Sequence, residues 1–163
     1  MGSGFDIGGD YSVGDIISAE NLVVNTFGTY QVWSFTGHTG GVRALAVDSS
    51  GNVYSGSNDN TVRKISPTGN QVWSFTEHTG SVLAVAVYSD GNVYSGSWDR
   101  TVRKISSTGN QVWSFTGHIG GARAVAVDSS GNVYSGSMGS IFSGNDDNIV
   151  RKIKQEVLDY KII

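Results

Sequence analysis

The sequence predicts an all-β protein built from copies of one small antiparallel sheet. The phrase GNVYSGS occurs three times, at 51–57, 91–97 and 131–137, with a spacing of forty residues. Residues 31–70 and 71–110 match without a gap at 31 of their 40 positions. Each copy alternates short β-prone runs with turns rich in Gly, Asn, Asp and Ser, and no run is typical of a helix.

The pattern within one copy predicts four strands. VRALAV at 42–47 alternates between two faces and forms the first strand, and the small polar turn DSSGN leads into a second strand at 52–57. A tight turn leads into a third strand at 61–66, and PTGN turns the chain into a fourth at 71–75. Because such a sheet has apolar residues on both faces, it must pack between neighbours. A forty-residue period with four strands per repeat predicts the blade of a β-propeller.

The order of Gly-His, first strand, DSSGN turn, VYSGS and the turn around Asp59 resembles the WD-repeat family of β-propellers. In that family a His, a Ser or Thr of the second strand and the turn Asp form a hydrogen-bonded structural network with a Trp. The resemblance assigns this network to His38, Ser55 and Asp59, to His78, Ser95 and Asp99, and to His118, Ser135 (or Ser143) and Asp147.

The Trp-Asp pair of that family is absent, and Ile65-Ser66, Ile105-Ser106 and Ile153-Lys154 stand in its place. The phrase TGNQVW, which places Trp73 and Trp113 on fourth strands, is similar to quinoprotein-type propeller repeats. The resemblance covers residues 31–153 and specifies the fold more closely than the function.

The same spacing divides the chain into four blades. Residues 2–36 form a degenerate first blade, with its fourth strand at Gly28–Phe35, and residues 37–76, 77–116 and 117–163 form the others. The last blade carries an eight-residue insertion near 138–145. Either 133–137 or 141–145 can pair as its second strand, and direct continuation from the DSSGN turn favours 133–137.

Four blades of this family form half of a ring and leave two different apolar flanks in water. Such flanks meet head-to-tail, and this kind of contact closes a ring when the rotation permits. We therefore expect a homodimer, in which two chains of about four blades each form one eight-bladed ring.

Composition narrows the function classes. A net charge of −3 and an isoelectric point near 5.4 leave no basic stripe for nucleic acid or a membrane surface. The absence of cysteine excludes disulfides and thiolate metal sites. No apolar run approaches membrane-spanning length, and the N-terminus lacks a signal pattern. We expect a soluble, cytoplasmic protein with no cofactor, no metal, no nucleic-acid partner and no membrane partner.

Catalysis is not predicted either. A His–Asp pair occurs in every copy, and no nucleophile is placed apart from the repeat, so structural hydrogen bonding is favoured over acid–base chemistry. The Asp-containing turns lack the bidentate Glu typical of calcium loops.

Positions at which the copies differ are not needed to build a blade. In the WD-repeat family, the positions on either side of the turn Asp and at the start of the first strand lie on the top face, where partners dock. Trp98 is an extra aromatic residue in a polar turn, next to Arg100, a combination typical of interface anchors. The favoured hypothesis is a non-enzymatic scaffold that binds a protein or peptide through this face. The alternatives are a lectin-like sugar-binding propeller and a nascent, recently amplified propeller without a specialised ligand. The candidate partner-binding residues are Trp98, Arg100, Arg43, Asn58, Arg123, Met138 and Phe142.

Overall fold

In a computed structural model of the chain, residues 29–139 and 148–154 are described, and they contain strands and turns but no helix. The chain divides into two compact units, residues 1–31 and 32–163, and every described strand lies in the second unit. The all-β class predicted from the sequence is confirmed.

The strands form three antiparallel sheets. The first sheet has the order β1 (Val42–Val47), β2 (Val53–Ser57), β3 (Val62–Ile65), β4 (Gln71–Phe75). The second repeats it as β5 (Val82–Val87), β6 (Val93–Ser97), β7 (Val102–Ile105), β8 (Gln111–Phe115). The third sheet pairs β9 (Gly121–Val127), β10 (Val133–Met138) and β11 (Val150–Ile153), with β10 in the middle.

The turn between the second and third strands is the same in the first two sheets. In the first sheet the Ser57 N–H donates to the Thr61 carbonyl at 3.2 Å, and the Asn60 N–H donates to the Ser57 carbonyl at 3.2 Å. This three-residue loop needs a left-handed residue at its end, and Asn60 has φ 68°. Arg100 occupies the same position of the second sheet with φ 72°. The side of the sheets that bears these two turns is called the top face below.

The core lies between successive sheets. Tyr54, Val62 and Phe75 of the first sheet pack against Val82 and Val93 of the second. The second sheet presents the equivalent residues to the third, whose Ala122, Val125 and Val133 complete a second cluster. The inner strand β5 accordingly contacts both β1 and β9.

Glycine is required in the turn between the third and fourth strands, because the fourth-strand tryptophan of the preceding sheet packs against this turn. Gly109 has φ 90°, and a Cβ there would lie 2.9 Å from Cγ of Trp73. The Trp73 indole N–H donates to the Ser107 carbonyl at 3.1 Å. Trp33 approaches Gly69 in the same way, although residues 29–36 form no strand, contrary to the fourth strand predicted at Gly28–Phe35. No described strand lies beside this segment to pair with it.

The outer faces of the first and third sheets are open. On the first sheet Val42, Leu45 and Val47 are 50–64% exposed, whereas Val82 and Val85, at the positions of Val42 and Leu45, are 0% and 9% exposed. These three residues form the leading flank. The trailing flank comprises Ala124, Ala126 and Val150 of the third sheet, and Val150 is 78% exposed where its counterparts Val62 and Val102 are fully buried.

The strand after the DSSGN turn at 128–132 begins at Val133, as the sequence favoured, and continues through Met138, which pairs with Gly121. The ladder thus includes Met138, the first residue of the insertion predicted near 138–145, and residues 140–145 lie outside the described residues. The alternative strand at 141–145 lies outside the described residues.

Candidate functional site

The structure brings His78, Ser95 and Asp99 together inside the second sheet. His78 Nδ1 lies 2.7 Å from Asp99 Oδ2, and His78 Nε2 lies 2.8 Å from Ser95 Oγ. Because an ionised carboxylate can only accept hydrogen bonds, the proton lies on Nδ1. Asp99 also accepts from the Thr79 and Thr101 backbone N–H groups and from the Thr101 hydroxyl. The carboxylate thereby links the loop before β5 to the turn after β6.

The first sheet contains the same arrangement. His38 lies 2.8 Å from Asp59 Oδ2 and 2.7 Å from Ser55 Oγ, and the Thr61 hydroxyl donates to Asp59. In the third sheet His118 Nε2 lies 2.7 Å from Ser135 Oγ. The remaining predicted members of that network, Asp147 and the alternative Ser143, lie outside the described residues.

A phenylalanine covers each histidine ring, a contact that the sequence interpretation missed. The rings of Phe75 and His78 meet edge to face at 5.9 Å, and Phe35–His38 and Phe115–His118 repeat this geometry at 6.0 and 5.7 Å. The forty-residue recurrence of SFTGH and SFTEH was the signal that could have indicated it.

The hydrogen-bonded series from serine to histidine to aspartate is that of a catalytic triad, but the serine hydroxyl is buried. Ser55 is 2% exposed, Ser95 is 0% exposed and Ser135 is 1% exposed. A substrate carbonyl must come within about 3 Å of an attacking oxygen. Burial this complete leaves the three serines closed to solvent in this structure.

The networks also fix the charge of their carboxylates. Burial raises the pKa of Asp59, but hydrogen bonds from Thr61 and His38 outweigh it and hold the pKa well below its usual range. For Asp99 the same opposition, with His78 as the main donor, again leaves the pKa lowered. Both carboxylates therefore stay ionised in the folded protein at neutral pH.

A second polar cluster holds the DSSGN turn. Asp48 accepts from the backbone N–H of Ser50 and Asn52, from the Asn52 amide and from the Tyr54 hydroxyl. Burial, together with the hydrogen bond to Asp48, raises the pKa of Tyr54. At Asp128, the third copy of this position, hydrogen bonds led by Asn132 lower the pKa to about 2.

The corresponding turn of the second sheet has different hydrogen bonds, because Tyr88 replaces the turn aspartate. The Tyr88 hydroxyl donates to the Ser129 carbonyl of the third sheet at 3.0 Å. Asp90, two residues later, accepts from Asn92 in place of the lost carboxylate. The exchange adds a hydrogen bond between neighbouring sheets, and comparison of the three copies was the signal that could have predicted it.

Several cations of the third-strand Arg-Lys pairs have defined contacts. Lys64, Lys104 and Lys152 lie 5.4–5.8 Å above the rings of Tyr54, Tyr94 and Tyr134. Arg63 donates to the Gln71 side chain at 2.6 Å and lies 3.8 Å from Asp59. These cations are already engaged within their own sheets.

The top face contains a cleft of about 440 Å³ that extends over all three sheets. Its walls come from the starts of the inner strands and from the turns after the second strands. The lining residues are Arg43, Asn58, Ser81, Leu83, Trp98 and Arg123. All six lie at positions where the copies differ in sequence.

Trp98 reaches from the second sheet to the third. Its ring is 52% exposed, and the Arg123 guanidinium lies 4.8 Å from its centroid. A Cβ at Gly121 would lie 2.7 Å from Trp98 Cε3, so the glycine leaves room for the ring. The arginine over Trp98 is therefore Arg123 rather than its sequence neighbour Arg100, which ends the turn.

Of the seven predicted partner-binding residues, four line this cleft: Trp98, Arg43, Asn58 and Arg123. Arg100 lies in the turn, and Met138 lies at the end of β10 and is 42% exposed. Phe142 lies outside the described residues. Ser81 and Leu83 line the cleft as well, although they were not in the predicted set.

With the geometry established, comparison with known proteins identifies the family. The family model that matches is described as outer membrane protein assembly factor BamB, a PQQ-type propeller repeat, and the match spans residues 22–150. The chain belongs to this family. The similarity to quinoprotein-type repeats predicted from the TGNQVW phrase is thereby confirmed. None of the curated proteins matches the chain significantly.

A solved structure gives the second comparison. The WD40 β-propeller domain of Doa1 superposes with a TM-score of 0.64 at 30% sequence identity. The superposition covers 73% of this chain and 38% of the other. The resemblance to WD-repeat propellers is confirmed, and this family member spans well under half the length of that solved chain.

Two other kinds of feature are absent from the described residues. No helix among them is long and apolar enough to cross a bilayer. Within residues 29–139 and 148–154, no group of three or more His, Cys, Asp or Glu side chains is arranged to hold a metal ion.

Proposed function

We propose that this propeller is a non-enzymatic scaffold that binds a protein or peptide segment in its top-face cleft. The observation that carries the proposal is that the cleft is lined by residues at positions where the copies differ. The positions that build the sheets, the histidine networks and the inter-sheet core are nearly constant from copy to copy. Every residue that lines the concave surface therefore belongs to the variable part of the repeat.

The side chains of the cleft suit a peptide. Trp98 offers a large, half-exposed ring, Leu83 an apolar wall, and Asn58 and Ser81 polar groups. Trp and Arg are the residues most enriched at energetic centres of interfaces, whereas exposed side chains at the rim contribute little.

A peptide display selection on the immobilised protein tests this proposal. The matched variant is Trp98→Asn, because asparagine occupies the same position of the first sheet as Asn58. We expect the enriched peptides to bind the wild-type protein and to lose about 30-fold in affinity on Trp98→Asn, equivalent to about 2 kcal/mol. If no peptide is enriched, or if binding ignores Trp98, the proposal is wrong. Binding confined to a glycan array would instead favour the lectin-like alternative, and silence in both would favour a propeller without a specialised ligand.

We further propose that two chains close one ring head-to-tail as a homodimer. This proposal is supported by the contact between neighbouring sheets, called the seam below. In it, the face of the second sheet that bears Val102 packs against the face of the third sheet that bears Val133. The trailing flank has the same residue positions as the face of the second sheet that packs on the third, with Val150 at the position of Val102. The leading flank has those of the face that bears Val133. A second copy is thus the partner whose surface already fits. The described sheets of two chains number six. The count of eight rests on the forty-residue spacing, which adds the blade expected at residues 2–36; residues 2–28 of that blade lie outside the described residues.

Light scattering tests ring closure. We expect a mass twice the 17.2 kDa of the chain, without dissociation on dilution below the unfolding transition. Val150→Glu places a charge in the expected interface and should yield monomer, whereas Lys154→Glu, on an exposed residue of the same sheet, should not. A stable wild-type monomer would refute the dimer.

A further inference from the structure

The cleft carries two arginines without acidic partners. Within the described residues, Arg123 makes no hydrogen bond or ion pair, and the only hydrogen bond of Arg43 runs from Nε to Asn58 Oδ1 at 2.8 Å. By contrast, Arg63 and Arg103 each lie within 4.0 Å of a network aspartate. Positive charge in the cleft is therefore not neutralised by any described side chain.

The two arginines occupy one position of the repeat. Arg43 lies on β1 and Arg123 on β9, and Leu83 lies at the same position of β5, the strand that contacts both. The cleft thus presents a row of cation, apolar side chain and cation across three neighbouring strands. None of its six lining residues is acidic.

Arg123 is also held in place for binding. Its guanidinium lies 4.8 Å from the Trp98 ring centroid, and the intrinsically planar fork of N–H groups matches the two oxygens of a carboxylate. The bond from Nε of Arg43 to Asn58 restrains the second guanidinium and leaves its terminal nitrogens available. Restraint of this kind lowers the entropy lost when a ligand binds.

We propose that the cleft binds an acidic peptide segment, in which two carboxylates flank one apolar side chain. This inference rests on the proposed function and adds the chemistry of the partner. The carboxylates pair with Arg43 and Arg123, and the apolar side chain lies against Leu83 and the exposed part of Trp98. A long polyanion is disfavoured, because the chain carries a net charge of −3 and only two cations line the cleft.

Fluorescence anisotropy with labelled synthetic peptides tests the inference. The probes are three peptides of one length with a central Leu, flanked on both sides by Glu, Gln or Lys, together with a single-stranded oligonucleotide. We expect the Glu peptide to bind at least tenfold more tightly than the Gln peptide, with no measurable binding of the Lys peptide. Arg123→Gln and Arg43→Gln should each reduce that preference severalfold, and the preference should weaken with added salt.

Control variants and peptides separate the acidic preference from the scaffold function on which it rests. Lys154→Gln removes the same charge from an exposed residue outside the cleft and should leave the preference unchanged. Equal binding of the Glu and Gln peptides, abolished by Trp98→Asn, would overturn the acidic preference while leaving the scaffold function standing. If no peptide of any charge binds and display selection also fails, both are overturned. An oligonucleotide that binds more tightly than the Glu peptide and competes with it would overturn the peptide assignment.

Discussion

Removing the His78 side chain should destabilise the fold strongly, because the imidazole holds two buried polar groups. Its bond to the Asp99 carboxylate, at 2.7 Å, contributes about 1.5–3 kcal/mol, and its bond to the Ser95 hydroxyl about 0.5–1.5 kcal/mol. His78→Ala should thus cost about 2–4 kcal/mol, or roughly 4–16 °C in the thermal midpoint for a chain of this size. Circular dichroism should retain the β spectrum below the transition.

A double-mutant cycle shows whether the loss comes from the network rather than from packing. His78→Ala, Asp99→Ala and the double variant are compared by denaturant unfolding. Because each single change already breaks the shared bond, we expect a coupling energy of about 1–3 kcal/mol. Ser114→Ala, on an exposed residue of β8, should change stability by no more than about 0.5 kcal/mol. If the His78 and Asp99 effects add within about 0.5 kcal/mol, the argument for the network is refuted.

The other predictions concern pH, backbone strain and the seam between sheets. Because the pKa of Asp99 is lowered in the folded state, the stability that Asp99 contributes is complete well above pH 4 and is lost as the pH falls through the folded-state pKa. Denaturant unfolding from pH 7 to pH 2 should show this loss. Asp99→Asn should make the free energy of unfolding depend less on pH over that range. Arg100 has a positive φ that asparagine adopts more easily, so Arg100→Asn should raise the free energy of unfolding and Asn60→Arg should lower it, each by about 1 kcal/mol. Thermal denaturation checks this, and midpoints that move the opposite way would contradict the strain. Tyr88→Phe removes the bond to the third sheet and should cost about 1 kcal/mol by chemical denaturation, whereas an unchanged midpoint would mean that water replaces that bond at no cost.

The fold could be predicted from the sequence because its signals are local and repeated. The alternation in VRALAV, the turn residues of DSSGN and the forty-residue spacing each specify one level of the structure, and the copies repeat the same pattern. The ends were harder. Residues 29–36 have the sequence of a fourth strand but form none among the described residues, and a local pattern does not reveal whether a neighbouring strand is present to pair with.

The candidate site could be predicted only in part. Differences between copies indicated Trp98, Arg43 and Arg123, yet the arginine over the Trp98 ring comes from the next sheet rather than from the same turn. Sequence distance gives no measure of that contact. The bond from Tyr88 to the third sheet was missed for the same reason, since its acceptor is a backbone carbonyl forty-one residues away.

The seam between the first and second sheets recurs between the second and third with equivalent residues in equivalent contacts. A gene that gains or loses one forty-residue unit by unequal recombination therefore leaves every remaining seam with a matching partner on each side. The number of blades can change in whole units without any new interface having to evolve. A fraction of a unit would leave an incomplete sheet with an unpaired edge strand. Lineages of this protein are accordingly expected to differ by entire blades, with the turn residues of each new blade free to diverge afterwards.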